Sequence, residues 1–188
     1  GEEFERDILA RLEEFDGCAG IIIDVRGNGG GRRDLINILC PRLPPPDAEP
    51  VVYNASRPLL LPGETESEIA RRLGTRFLFR EDDARWTDAE RAAIRAFRER
   101  FQPDVEFAEE RFGPWHYAVV SPAPAGTRRI TVPVVVLMDA GCFSATDVFL
   151  AAMKLMPNVT LLGEASGGGS GLARSHEIRI PADGPGER

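Results

Sequence analysis

Residues 132–147 read VPVVVLMDAGCFSATD, and the fold turns on how this stretch is parsed. Val134, Val135, Val136, Leu137 and Met138 form a continuous, largely β-branched apolar run of strand length. Asp139, Ala140 and Gly141 are small and turn-prone, and a helical pattern opens at Ala145. A buried strand that stops at a tight turn and delivers the Ser144 hydroxyl to a helix N-terminus suits a nucleophile. The unpaired N–H groups of the first helical turn would face any oxyanion formed there. Serine is also a preferred N-cap residue, and on this stretch alone capping is the simpler account.

The same grammar occurs twice more. Residues 20–25, GIIIDV, are a short apolar run of the kind that fills the middle of a sheet covered on both faces. The glycine-rich turn RGNGGG follows at 26–31, and a helical pattern resumes over 34–39. A dinucleotide fingerprint begun at Gly27 would need glycine where Arg32 stands, and no Gly-Lys-Ser/Thr is present for a nucleotide loop. Consecutive glycines do leave a backbone free to take positive φ and to point bare N–H groups at a ligand. A tight turn without a task is the other account. Near the end, the strand VTLLG (159–163) leads into a second glycine loop, EASGGGSG (164–171). Strands alternating with helices at both ends of the chain predict an α/β class with short parallel crossovers.

Between these stretches the periodicity is conventional. Phe4, Ile8, Leu12 and Phe15, with Leu9 beside them, stripe an amphipathic helix that Asp16 and Gly17 end. A proline-rich connector spans 41–50, a strand 51–55, a loop 59–65 and a short helix 66–73. Thr87 with Glu90 spells a capping box, opening a helix over 87–101 whose stripe is Ala93, Ile94, Phe97 and Phe101. WHYAVV (115–120) alternates as a strand, 130–138 is a strong strand, 145–155 a helix, and 175–180 an edge strand. Residues 63–113 therefore read as a mainly helical insertion that covers the site, within a single domain spanning 1–188.

Composition narrows the function classes. The chain has 188 residues, 43% of them hydrophobic and 28% charged, with a net charge of −7. No basic stripe exists to replace counterions on nucleic acid. Cys18, Cys40 and Cys142 are odd in number, widely spaced and without a CxxC pair, which argues against a disulfide framework or a zinc site. No apolar run reaches membrane-spanning length, and no signal peptide is present. The opening GEEFERDILARLEEF and the closing PADGPGER both read as cuts inside a larger protein.

Taken together, IIIDVRGNGGG, VVVLMDAGCFSATD and LLGEASGGGSG resemble the tail-specific serine peptidases, the superfamily of C-terminal-processing and tricorn-type proteases. The specific part of the likeness lies in 19–39 and 132–171. It implies a Clp-protease/crotonase-like core of β-β-α units and a peptide or protein substrate, with neither metal nor cofactor. By the same resemblance Ser144 takes the nucleophile's place. The backbone N–H groups of Ala145 and of the Gly29–Gly30 turn would form the oxyanion hole, and Gly167, Gly168 and Gly169 would border the substrate groove. Asp24, Arg26 and Asp147 are expected to be structural. The resemblance tilts localisation towards an extracytoplasmic setting, and nothing in the residues specifies an oligomer.

The departure concerns the general base. The C-terminal-processing branch takes a lysine from a Gly-Lys-Gly setting in the second glycine loop, where this chain has Gly167, Gly168 and Gly169. Lys154, the only lysine, lies ten residues beyond Ser144 on the same helix, about 15 Å along its axis. The tricorn-like branch takes a histidine from a segment N-terminal to this core. Of the local histidines, His116 reads as a packed strand residue, and His176 follows the second glycine loop as a candidate base. The leading expectation is a serine peptidase core whose base comes from elsewhere. A non-catalytic module binding a peptide or apolar ligand is the alternative, and crotonase-type acyl-thioester chemistry the third.

Overall fold

The computed structural model describes residues 2–104 and 106–171. In chain order the elements are α1 (Glu2–Glu13), β1 (Ile21–Asp24), α2 (Asp34–Leu39), β2 (Val51–Ser56), α3 (Glu66–Gly74), β3 (Phe79–Arg80), α4 (Asp88–Arg100), β4 (His116–Val120), β5 (Val134–Met138), α5 (Ala145–Met153) and β6 (Val159–Gly163). Short 3-10 turns occupy Cys40–Arg42 and Glu109–Arg111. The fold is α/β, as the alternation of apolar runs and helical stripes predicts. The expected edge strand at 175–180 lies outside the described residues.

Two sheets divide the strands. β1, β5 and β6 form a parallel sheet in the order β1-β5-β6, with Ile21 opposite Val134 opposite Val159, and Ile23 opposite Val136 opposite Leu161. Because side chains alternate across a strand, these six residues share the inner face, and Val134 and Val136 are completely buried. β2, β4 and β3 form an antiparallel sheet, with a bulge in β2 between Val52 and Asn54. α5 belongs to both layers, since it contacts β2 and β6. Seven of its nine residues are buried, including Val148, Phe149, Leu150 and Met153. A helix apolar nearly all round needs cover on more than one side, and here it is the central element of the core. Each such side chain contributes about 1.5–3 kcal/mol on full burial.

Three features differ from the sequence reading. Among the described residues β1 is an edge strand and β5 the central one; Ile22 on the outer face of β1 is 70% exposed and Leu162 on β6 is 58% exposed. An apolar run marks a strand without fixing its position in the sheet. β5 starts at Val134 rather than Ile130, because Asn158 Nδ2 donates to the carbonyls of Ile130 and Val132, taking the acceptors a ladder would use. The segment 63–113 contains α3 and α4 and also supplies β3, whose Phe79 pairs with Tyr117 of β4. The capping box at Thr87 and Glu90 is present, and a second one opens α3 at Thr65 and Glu68.

Candidate active site

Parallel strands end on the same side, so the loops that follow β1, β5 and β6 meet at one edge of the sheet. Two side chains sew the first pair together. Asp139 Oδ1 accepts from the N–H groups of Gly27 and Gly141, each at 2.9 Å. Those donors, the Gly27 N–H first, hold its carboxyl below the usual range. Asn28 Oδ1 accepts from Gly30 N–H at 3.0 Å and from Thr146 Oγ1 at 2.9 Å, while its carbonyl accepts from Phe143 N–H at 3.0 Å. Cys142 is fully buried and its thiol donates to the Val25 carbonyl at 3.0 Å. The glycine loop after β6 is tied in by Ser144 N–H to the Gly168 carbonyl at 2.7 Å and by Gly167 N–H to the Cys142 carbonyl at 2.8 Å. Asp147 accepts from Ser166 Oγ and so anchors that loop to α5.

At the centre of this edge stands Ser144, with φ 56° and ψ −116°. A non-glycine residue there carries strain of about 1–3 kcal/mol, sustained only by the surroundings. Although Ser144 is the N-cap residue of α5, its side chain makes no capping bond, and its hydroxyl has no hydrogen-bond partner among the described residues. The capping account therefore fails: the residue occupies the position, and its hydroxyl makes no bond to the helix it opens. The next N–H, of Ala145, also has no acceptor among the described residues.

Gly30 explains how the two turns come so close. A Cβ built there would lie 2.7 Å from the Phe143 carbonyl oxygen, 2.9 Å from Ala145 N and 2.9 Å from Ser144 Cβ, and its φ is +106°. Only glycine fits both the space and the dihedral. Its own N–H is engaged by Asn28, whereas those of Gly29 and Gly31 have no acceptor among the described residues. Gly169 has φ +73°, and a Cβ there would fall 2.0 Å from the ring of the exposed Phe143, which would have to turn aside.

The sequence of this chain matches peptidase family S41 over residues 2–184. The chain belongs to that family. Its fold is also similar to a crystal structure described as a "putative peptidase" from Parabacteroides merdae, with a TM-score of 0.52 and 23% sequence identity. That likeness covers 89% of this chain and 38% of the other, so the chain spans less than half of that protein's length. No curated protein matches it.

Within this S41 chain the remaining candidates are dispersed. Asp24 and Arg26 pair bidentately on the surface at 2.9 and 2.7 Å, and the guanidinium takes the Asp24 carboxyl down to about 2. His116 lies on β4, in the antiparallel sheet, with Nδ1 2.9 Å from the Pro114 carbonyl. Lys154 caps the far end of the helix that Ser144 opens. His176 lies outside the described residues. The sequence reading did not single out Asn28 and Asp139, although both stand in turns where such side chains typically bond to nearby backbone. It gave no site role to Arg33, Asp34 or Gly74 through Phe77, which with Gly31, Arg32, Ser144 and Ala145 line a cleft of about 530 Å³.

Proposed function

We propose that Ser144 is the nucleophile of a serine peptidase. The observation that carries this reading is a hydroxyl held at φ 56° beside the N–H of Ala145, both without a partner among the described residues, at the C-terminal edge of a parallel sheet. In the proposed reaction Ser144 Oγ bonds to the carbonyl carbon of the scissile peptide while its proton passes to a general base. The carbonyl oxygen becomes an oxyanion, held by the Ala145 N–H and a second N–H from the turn of Gly29 and Gly30. With Gly30 N–H bonded to Asn28, Gly29 is the readier donor of the two. Losing one such donor costs about 3–4 kcal/mol of transition-state stabilisation. Collapse expels the amine, which takes the proton back from the base, and water then hydrolyses the acyl-enzyme. Gly167, Gly168 and Gly169 form one wall of the proposed substrate groove.

The second glycine loop holds no lysine, which favours the tricorn-like, non-lysine branch. We place the base in a histidine from outside this stretch of chain, with His176 as the alternative within it. The absence of a base beside Ser144 among the described residues favours one other reading, a non-catalytic module that binds peptide or an apolar ligand in the same groove. Fluorophosphonate labelling of the full-length parent separates them. Labelling that disappears in Ser144→Ala and persists in His176→Ala supports a serine hydrolase with an external base. Loss of labelling in His176→Ala moves the base to that residue, and no labelling of the folded parent supports the binding module.

A further inference from the structure

α5 opens with the sequence of a capping box and does not make one. Ser144 is its N-cap residue and Asp147 stands three residues on, the Ser-x-x-Asp pattern in which each side chain bonds the other residue's N–H. The boxes that open α3 and α4 are closed in both directions. Thr87 N–H donates to Glu90 Oε2 at 2.8 Å and Glu90 N–H to Thr87 Oγ1 at 3.2 Å. Thr65 and Glu68 exchange the same pair of bonds at 2.8 and 3.3 Å. At α5 the two groups are diverted to the glycine loop after β6. Ser144 N–H donates to the Gly168 carbonyl at 2.7 Å, and the Asp147 carboxylate accepts from Ser166 Oγ.

The loop is shaped for this seat. A Cβ at Gly163 would lie 2.0 Å from the Met138 carbonyl oxygen, and one at Gly167 would lie 2.7 Å from that of Ala140. The chain therefore leaves β6 flat against the end of β5 and the turn that follows it. Gly167 N–H bonds the Cys142 carbonyl at 2.8 Å, and Phe143 and Gly168 pair as a single parallel bridge. Most of these contacts are backbone to backbone. Among the described residues, Ser166 provides the one side-chain bond from the loop to α5.

The backbone of Ser144 shows what the diversion achieves. Thr65 and Thr87, which do cap, have extended backbones with φ −85° and −69°. Ser144 stands at φ 56° instead, and closing its box would relax it to the extended form and turn its oxygen onto the helix. We propose that Asp147 and Ser166 form a latch that positions Ser144 by keeping its capping box open. With its carboxylate held by Ser166, Asp147 does not reach back to the Ser144 N–H, which stays with Gly168. Asp147 is a positioning residue that acts through the loop and touches no reacting atom. The inference rests on the serine-peptidase reading for its effect on reactivity, and not for the latch itself.

The test compares the full-length parent with its Ser166→Ala and Ser166→Thr variants in three measurements. These are amide hydrogen exchange over 164–171, the rate of fluorophosphonate labelling, and the midpoint of chemical denaturation. A hydrogen bond to a charged group shifts the balance between the two arrangements about tenfold or more. Exchange in Ser166→Ala should quicken, and labelling should slow, by about that factor. The midpoint should hold or rise, because a closed box stabilises the helix it opens. Ser166→Thr keeps a hydroxyl and should recover most of both rates. Exchange that does not change in Ser166→Ala overturns the latch, whatever the labelling does. Faster exchange with an unchanged labelling rate, or with a midpoint that falls, overturns the positioning of Ser144. No labelling of the parent, with the exchange result as expected, would overturn the catalytic reading alone.

Discussion

The edge that carries Ser144 and the antiparallel sheet behind it spend their polar groups differently. Around β4 and α4 the bonds are conventional: Thr87 and Glu90 cap the helix reciprocally, Trp86 Nε1 donates to the Arg80 carbonyl at 2.7 Å, and His116 reaches Pro114. Phe97, Phe101, Phe107 and Trp115 pack edge-on or stacked around them. At the Ser144 edge, Asp139 accepts from the N–H of Gly27 and Asn28 from the hydroxyl of Thr146, both distant in the chain, and a strained serine has no hydroxyl partner among the described residues. Local satisfaction marks a region built for stability. Tight stitching around a few groups left without partners among the described residues is what the proposed active site would require.

The largest stability effect that separates the two regions is expected at Gly30. Gly30→Ala puts a Cβ within 2.9 Å of Ala145 N and Ser144 Cβ, with no flexible side-chain end to move aside. Strain and overpacking together predict a loss of about 2–4 kcal/mol and a fall in fluorophosphonate labelling. Gly29→Ala is the matched control, because nothing lies within 4 Å of its added Cβ. Chemical denaturation of both variants checks the contrast, and equal destabilisation would mean that the turns do not approach as closely as described.

A smaller effect is expected at Asn28. Asn28→Ala removes the acceptor shared by Gly30 N–H and Thr146 Oγ1, a loss of about 1–3 kcal/mol. Asn28→Asp keeps an acceptor at the same place and should recover most of the stability. If Ala and Asp prove equal, the side-chain oxygen is not what joins the turns.

These residues also mark how far the sequence could be read. The strand-to-helix turn at Ser144 and the glycine turn at 26–31 are local patterns, and both were legible, as was the capping box at Thr87. The stitches were not, because Gly27 and Asp139 are 112 positions apart and Asn28 and Thr146 are 118 apart. No local period encodes such a pairing. The cleft wall failed for the same reason, since Arg33 and Arg76 come from different loops 43 positions apart. The edge position of β1 among the described residues is not legible in its apolar run, because burial of such a strand depends on what covers it. Ile21 and Val134 face the core while Ile22 faces outward, although all three are equally apolar in sequence.

The smallest expected effect belongs to the conventional region, and it is one of pH. His116 is 4% exposed, and burial depresses its pKa, opposed in part by the bond to the Pro114 carbonyl. The sign follows from proton counting: the unfolded chain takes up a proton at the ordinary histidine value of about 6.5, while the folded chain resists it. Stability is therefore unaffected by this group above that value and declines as pH falls below it, until the folded-state pKa is passed. His116→Gln should flatten that part of the stability profile while leaving the Ser144 edge intact, so labelling at neutral pH should be retained. A His116→Gln variant that folds normally and loses labelling would break the comparison, because His116 would then belong to the active site.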